Sequence, residues 1–336
     1  MRVGVVGASG YVGSEILRLA GEHPDMEIVA ATGESNAGAP IAAHVPALAA
    51  LYPDTRYLAH GDLDHVDLDV AFVALPHGKS QDVVPDLLAR GVTVVDLGAD
   101  FRLRDARDYP TWYHEAHRAA HLLPTAVYGL VERHRDELRG ASLIAVPGCF
   151  PTATSLALGP FVDAGVLDEG TLIVSALTGA SGAGRAISDR LHFSRLAANA
   201  EAYGLVSHRH TAEMQQELQR DVLFTPHLVP VSRGMLVTAF AGLRAMSSDD
   251  ALALLRATYR EDPFVVVVDE PPTLKDPLGS NLCFVSARVD PRTGTLIAMS
   301  SIDNLIKGAA GQAVQAWNVS RGVSETRGLA RAGVTP

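Results

Sequence analysis

The chain of 336 residues contains only two cysteines, Cys149 and Cys283. A disulfide framework of the kind that staples small secreted domains is therefore excluded. Basic side chains are outnumbered, 28 against 38 acidic, for a formal charge of −10. No basic excess exists to neutralise phosphates, so general nucleic-acid affinity is excluded as well. No uncharged apolar run is long enough to span a bilayer. The chain opens directly on the apolar strand pattern Arg2-Val3-Gly4-Val5-Val6, with no signal-peptide pattern ahead of it. Repeats, low-complexity segments and flexible linkers are also missing, so any domains abut without a spacer. The expectation is a cytoplasmic, reduced protein of about two domains, with no nucleic-acid or membrane partner.

What is present begins with alternation. Arg2–Val6, Met26–Ala31, Asp69–Leu75 and Val92–Asp96 read as strands, separated by helical segments over Gly13–Glu22 and Ser80–Arg90. Nearly continuous apolar strands between helices predict a parallel sheet covered on both faces. After residue 148 the pattern changes. Thr171–Leu177, Gly234–Arg244, Phe264–Asp269, Asn281–Val289 and Gly294–Ser301 read as strands, the last two joined by the turn Asp290-Pro291-Arg292-Thr293-Gly294. Asp249–Arg260 reads as a helix. The fold class expected is α/β: a Rossmann-type dinucleotide-binding domain, 1–148, and an α+β catalytic and dimerisation domain with a mixed sheet, 149–303. A final helix from about Asn304 to Ser320, within a segment 304–336, returns to complete the first domain.

Gly7-Ala8-Ser9-Gly10-Tyr11-Val12-Gly13 follows the first strand and opens the first helix. Glycines there let backbone N–H groups approach a pyrophosphate at a helix N-terminus. The spacing G-x-x-G-x-x-G differs from the commoner G-x-G-x-x-G, and the strand-loop-helix context carries the assignment. At the end of the second strand, Glu34 suits a ribose 2′-hydroxyl, whereas Thr32 and Ser35 suit a 2′-phosphate. These residues alone leave NAD and NADP open.

Cys149 lies in Pro147-Gly148-Cys149-Phe150-Pro151-Thr152, directly after the apolar run Ser142–Val146. Strand, sharp turn and helix start place the thiol near the positive end of a backbone dipole, which favours thiolate. Cys283, in Leu282-Cys283-Phe284-Val285, reads as a small apolar core residue. Ser207-His208-Arg209-His210-Thr211-Ala212-Glu213 supplies a base. If a helix starts near His210, Glu213 lies one turn on, on the same face, where its carboxylate orients the imidazole. His208 and His210 have no third ligand at a metal-binding spacing, so no metal is expected. Thr178-Gly179-Ala180-Ser181-Gly182-Ala183-Gly184-Arg185 is a glycine-rich loop suited to an anion or amide.

A cysteine beside a nicotinamide permits one economical reaction. Thiolate attacks an activated acyl carbon, and hydride reduces the thioester to an aldehyde. A base accepts the thiol proton and protonates the hemithioacetal oxygen, a role that fits His210. The Phe150 N–H and the neighbouring turn serve the oxyanion. A cysteine hydrolase would leave the first domain's phosphate loop unused, and a dinucleotide-sensing module without turnover would need neither thiolate nor base.

With these residues in view, the sequence resembles the N-acetyl-γ-glutamyl-phosphate reductase family of arginine biosynthesis, within the aspartate-semialdehyde dehydrogenase superfamily. The resemblance covers essentially the whole chain. It is carried by Gly7–Gly13, Leu75-Pro76-His77-Gly78, Asp96–Arg102, Val146–Thr152, Ser181–Arg185, His208–Glu213 and Ile302-Asp303-Asn304-Leu305 in that order. It implies NADPH as reductant, an acyl-phosphate substrate, inorganic phosphate as product, and a homodimer or homotetramer. It makes Cys149 the thioester nucleophile and His210 the acid/base, with His208 as the alternative or a substrate contact. Arg102 and Arg185 become anchors for phosphate or substrate carboxylate. Pro76, His77, Gly78 and Ser80 line the cofactor cleft, with Ser181, Gly182 and Asn304 near the nicotinamide. Phe150 stands where the family usually carries Tyr. The nearest rivals are aspartate-semialdehyde dehydrogenase and the reductase of a one-carbon-longer acyl phosphate from lysine synthesis.

Overall fold

Six short apolar strands build the first sheet: β1 (Arg2–Val6), β2 (Glu27–Ala31), β3 (Val70–Val73), β4 (Thr93–Asp96), β5 (Ala126–Tyr128) and β6 (Leu143–Ala145). The computed structural model describes residues 1–334, which fall into two units. The first comprises Met1–Pro147 and Ala309–Leu329. Its strands run in the order β2-β1-β3-β4-β6-β5, every pair parallel. All four residues of β3 and all three of β6 are buried, as coverage on both faces requires. The flanking helices include α1 (Tyr11–Gly21), α2 (Ser80–Ala89) and α3 (Val131–Leu138). The chain order reverses between β1 and β3, so the loops leaving their carboxyl ends flank a switch point, where open α/β sheets take ligands. The C-terminal helix Gly311–Ser320 belongs to this unit and is buried along its whole length. Its Asn318 Oδ1 lies 3.1 Å from His23 Nε2, its Trp317 meets His23 edge-on at 5.6 Å, and Gln315 Nε2 donates to Glu132 Oε1 at 3.0 Å.

The second unit comprises Gly148–Gly308 and residues 330–334. Its sheet has seven strands: β7 (Leu172–Thr178), β8 (Glu201–Ala202), β9 (Val222–Leu228), β10 (Met235–Gly242), β11 (Val265–Val267), β12 (Cys283–Asp290) and β13 (Thr295–Ile302). Their order is β11-β12-β13-β10-β7-β9-β8. It is mixed: β12 and β13 form the expected antiparallel hairpin, while β7 and β9 are parallel. Helices α4 (Cys149–Asp163), α5 (His210–Leu218) and α6 (Ser248–Thr258) belong to this unit. Helix α4 is buried continuously from Phe150 to Phe161. It is tied to its surroundings by Ser300 Oγ donating to the Ala153 carbonyl at 2.7 Å and Tyr259 Oη donating to the Leu156 carbonyl at 2.6 Å. On the other face of the sheet, Phe240 of β10 pairs in register with Ile173 of β7, which pairs with Leu223 of β9. Ile173 and Leu223 are each 47% exposed, so this face is apolar and open in the single chain.

The sequence assigns 304–336 to the first domain, but residues 304–308 and 330–334 lie in the second unit. Asn304 is held there by its side chain, which accepts from Gly234 N at 2.8 Å. The tail is held by Asn281 N donating to the Ala330 carbonyl and Val334 N donating to the Leu278 carbonyl. Residues 335 and 336 lie outside the described residues. Among the described residues no helix is long and apolar enough to cross a membrane.

Candidate active site

The glycine loop after β1 is shaped by what a side chain would strike. Gly7 has φ +83°, and a β-carbon there would lie 2.5 Å from the Ala74 carbonyl oxygen. At Gly13 it would lie 2.3 Å from the Gly7 carbonyl oxygen, so the helix approaches the loop this closely only because residue 13 is glycine. Gly10 caps α1 without a side-chain hydrogen bond, and a β-carbon there would meet nothing closer than 3.7 Å. The first-turn N–H groups have no intrahelical acceptor, and with glycine at 7, 10 and 13 the loop puts no side chain of its own at these positions, a cradle that fits a dinucleotide pyrophosphate. Ser9 and Val12 are partly exposed and Tyr11 is exposed, whereas Ala8 is buried beneath the loop and donates its N–H to the Thr32 carbonyl at 2.7 Å. Thr32 is fully buried. Its hydroxyl accepts from Gly7 N at 3.2 Å and lies 2.7 Å from His60 Nδ1, so it braces the loop. Glu34 Oε2 accepts from His60 N at 3.0 Å, while Ser35 beside it is exposed.

A second polar cluster lies in the same unit, at the ends of β3 and β4. Pro76 is exposed. His77 lies between two carboxylates, Nδ1 2.8 Å from Asp100 Oδ1 and Nε2 2.9 Å from Glu115 Oε1, and stacks on Tyr113 at 4.3 Å. Asp100 also accepts from the N–H groups of Gly78, Ser80 and Gln81. Burial pushes its carboxyl up, but His77 and these donors outweigh burial and hold it below the usual range. Asp96 is the opposite case. It accepts from Ser80 Oγ at 2.7 Å and Gly98 N at 3.0 Å, yet full burial, with Asp100 adding repulsion, pushes it up to about 7. Arg102 is buried and donates to the Leu97 carbonyl at 2.9 Å. The Asp96-x-x-x-Asp100 spacing was the available signal for this network, but carboxylates in a loop motif do not announce burial.

The second unit gathers Cys149, His208, His210 and Glu213. Helix α4 begins at Cys149, which is partly exposed and makes no disulfide. Cys149 and Phe150 contribute first-turn N–H groups, which have no intrahelical acceptor and suit an oxyanion. Pro151 is tolerated in that turn because its missing N–H is among those donors. Helix α5 begins at His210, so the imidazole and Glu213 share a face as the spacing predicts. Glu213 is fully buried. Its Oε2 accepts from Gly148 N at 2.9 Å, and its Oε1 lies 3.9 Å from His210 Nε2. One carboxylate thus reaches both the turn that carries Cys149 and the imidazole. The His208 ring lies 4.8 Å from that of His210, and its Nδ1 accepts from His210 N at 3.2 Å. Burial first, then the Arg209 charge, drives His208 down to about 4, so it is neutral at working pH.

Asn304 Nδ2 donates to Ser181 Oγ at 3.0 Å, and a β-carbon on Gly182 would lie 3.6 Å from the same nitrogen. Ser181, Gly182 and Asn304 therefore form one corner. Arg185, further along the loop, is exposed. Sequence reasoning missed Tyr203, a largely buried phenol whose pKa is raised first by burial and then by proximity to Cys149. No local pattern flagged it, because it sits in an irregular segment before β9. Among the described residues no group of three or more His, Cys, Asp or Glu side chains is arranged to hold a metal ion.

The family model for the semialdehyde dehydrogenase NAD binding domain matches residues 2–141, and that for the semialdehyde dehydrogenase dimerisation domain matches residues 149–304. The chain is 44% identical to the N-acetyl-γ-glutamyl-phosphate reductase of Desulforudis audaxviator, with 100% of both chains covered. It is 44% identical to that of Symbiobacterium thermophilum, over 99% of this chain and 98% of the relative. The reductase of the same name from Synechocystis is 41% identical over 98% and 96%. Among solved structures, aspartate semialdehyde dehydrogenase II of Vibrio cholerae superposes with a TM-score of 0.71 at 19% identity, covering 95% of this chain and 97% of that one. The Candida albicans aspartate semialdehyde dehydrogenase, solved with NADP, gives 0.70 at 18% identity over 95% and 97%. At that identity the two structures bear on the fold alone.

Proposed function

Because the chain belongs to the N-acetyl-γ-glutamyl-phosphate reductase family of semialdehyde dehydrogenases, we propose that it reduces N-acetyl-γ-glutamyl phosphate to N-acetylglutamate semialdehyde with NADPH, releasing phosphate, in arginine biosynthesis. The observation that carries this is the Gly148–Cys149–His210–Glu213 cluster, in which the turn bearing a thiol at a helix start is anchored by a buried carboxylate and packs against the imidazole beside it.

His210 accepts the Cys149 proton, and the thiolate forms a C–S bond to the acyl carbon. The N–H groups of the first turn of α4 stabilise the oxyanion, with the imidazolium beside it. Collapse breaks the carbon–oxygen bond to phosphate, which leaves with the electron pair and takes a proton from solvent. A thioester remains on Cys149. NADPH, held at the Gly7–Gly13 loop, would supply the hydride that this carbonyl carbon accepts. The hemithioacetal oxyanion then re-forms C=O and expels the Cys149 thiolate, which recovers a proton. Glu213 holds the positive charge on His210 through both collapses, and His208, neutral, holds the start of α5 through His210 N.

The cradle at Gly7–Gly13 fits the pyrophosphate. Ser35 is assigned the 2′-phosphate, since Glu34 is tied to His60 N and Thr32 is buried. Arg102 and Arg185 are assigned to phosphate and substrate carboxylate. A reduced thiol at position 149 suits the cytoplasm. The open apolar face of Ile173, Leu223 and Phe240 is assigned to a second copy of the chain, in keeping with the dimerisation-domain match.

The reaction is tested in reverse, with phosphate, NADP and each of three aldehydes, following absorbance as NADPH forms. N-acetylglutamate semialdehyde is expected to give the highest kcat/KM. Preference for aspartate semialdehyde or for the longer N-acetylated homologue would overturn the substrate assignment.

A further inference from the structure

Two glycines bracket the nucleophile, and neither is demanded by its backbone angles. Gly148 has φ −67° and ψ 155°, an extended conformation open to any residue. What forbids a side chain is the imidazole. A β-carbon at Gly148 would lie 2.5 Å from His210 Nε2, 2.7 Å from Cε1 and 2.9 Å from Cδ2. The ring has little room to retreat, with Phe150 at 5.9 Å and His208 at 4.8 Å between ring centres and only 9% of the residue exposed. Gly308 presses on the nucleophile from a different segment. A β-carbon there would lie 2.7 Å from Cys149 Cβ and 3.3 Å from both Cys149 Cα and Ile302 Cδ1.

Gly308 reaches this position through an unusual turn. Its N–H donates to the Asp303 carbonyl at 3.0 Å, five residues back, in the π-helical turn Ile306–Ala310. Such wide turns are rare and concentrate at functional sites. The turn is pinned by the buried Asp303 carboxylate, which accepts from Leu305 N at 2.9 Å, Ile306 N at 3.2 Å and Gly279 N at 3.1 Å.

We infer that Gly148 and Gly308 are positioning residues for the Cys149–His210 pair. Gly148 lets the imidazole close onto the backbone that carries the sulfur. Gly308, delivered by the π turn, seats the β-carbon of Cys149 and so aims its Sγ. Both roles presuppose Cys149 as nucleophile and His210 as its base, as proposed above.

The test combines thiol alkylation with turnover. Iodoacetamide labelling of Cys149 is followed from pH 5 to 9; Cys283 is fully buried, and Cys149→Ser provides the blank. The reverse reaction gives kcat and the KM for NADP. Proteins compared are the parent, Gly148→Ala, Gly308→Ala, His210→Asn and the Gly148→Ala/His210→Asn pair. Gly148→Ala is expected to lower kcat roughly 10²-fold, the scale of a ~1 Å misplacement, with the KM for NADP unchanged. It should also abolish the same low-pH limb of alkylation that His210→Asn abolishes. In the His210→Asn background its further effect should be about twofold or less, because the partner through which it acts is gone. Gly308→Ala should slow alkylation at every pH while keeping that limb.

An equal loss from Gly148→Ala with and without His210, or an unaltered pH profile, overturns the role of Gly148. Parent-like alkylation in Gly308→Ala overturns that of Gly308, and this variant decides the matter if Gly148→Ala does not fold. A parent enzyme without the low-pH limb, or turnover by Cys149→Ser, instead refutes the underlying Cys149–His210 assignment.

Discussion

Replacing Glu213 by Gln separates charge from shape at the centre of the cluster. The amide keeps the size of the carboxylate and retains an oxygen to accept the Gly148 N–H, now made at 2.9 Å. What is lost is the negative charge 3.9 Å from His210 Nε2. Two unit charges about 4 Å apart attract by about 4 kcal/mol in an effective dielectric near 20. On the proposed route that attraction favours the imidazolium beside each oxyanion, so its full loss corresponds to about 10³-fold in kcat. The expected result is a 10²–10³-fold fall, within the usual scale of acid-base assistance, with a melting temperature close to the parent's. Glu213→Ala should lose activity to a similar extent and stability as well, because the buried Gly148 N–H loses its acceptor at about 1–3 kcal/mol. The assay is the reverse reaction, with thermal melting by circular dichroism on the same samples. Parent-like kcat in Glu213→Gln, or equal melting losses in Gln and Ala, would refute the reasoning.

Cys149→Ala should abolish turnover while binding NADP with parent affinity in a fluorescence titration; substantial residual turnover would exclude the covalent route. His210→Asn should cost roughly 10²–10⁴-fold in kcat. His208→Asn should cost less and leave the pH–rate profile between pH 5 and 8 unchanged, since burial already holds His208 neutral there; a larger loss would reverse the two histidines. Asp96 should make stability fall as pH rises. The unfolded chain releases this proton near the ordinary 3.8 and the folded protein keeps it to about 7, so between those values the folded state binds more protons. The contribution is at most about 4 kcal/mol, present below pH 3.8 and lost by pH 7. Urea midpoints at pH 5 and 8 should therefore fall more in the parent than in Asp96→Asn, and a constant difference between the two would contradict the assignment.

Much of this architecture was legible in the sequence because its local signals agree. The apolar runs at Arg2–Val6 and Val70–Val73, the hairpin turn at Asp290–Gly294 and the helix at His210 each arise where residue pattern and tertiary setting ask for the same conformation. Strand β9 was not foreseen, because Pro226 lies within it and proline argues against a strand. It is tolerated near the sheet edge, where the outer neighbour is the two-residue β8. Strand β5 has three residues and follows a turn-rich stretch, too short for alternation to show. In the site, the i, i+3 relation of His210 and Glu213 was visible, but the Gly148 N–H to Glu213 bond joins residues 65 apart and leaves no sequence trace. The burial that sets Asp96 against Asp100 is likewise a property of the packed sheet end. The contact of Gly308 with Cys149 depends on a π turn that no periodicity encodes.

The covalent role of Cys149 is tested most directly by supplying N-acetyl-γ-glutamyl phosphate without NADPH, quenching in acid and measuring the mass of the peptide that contains residue 149. An N-acetylglutamyl adduct on Cys149, discharged when NADPH is added before the quench, is the expected result. An unmodified Cys149 in an enzyme that still turns over, or an adduct on another residue, would contradict it.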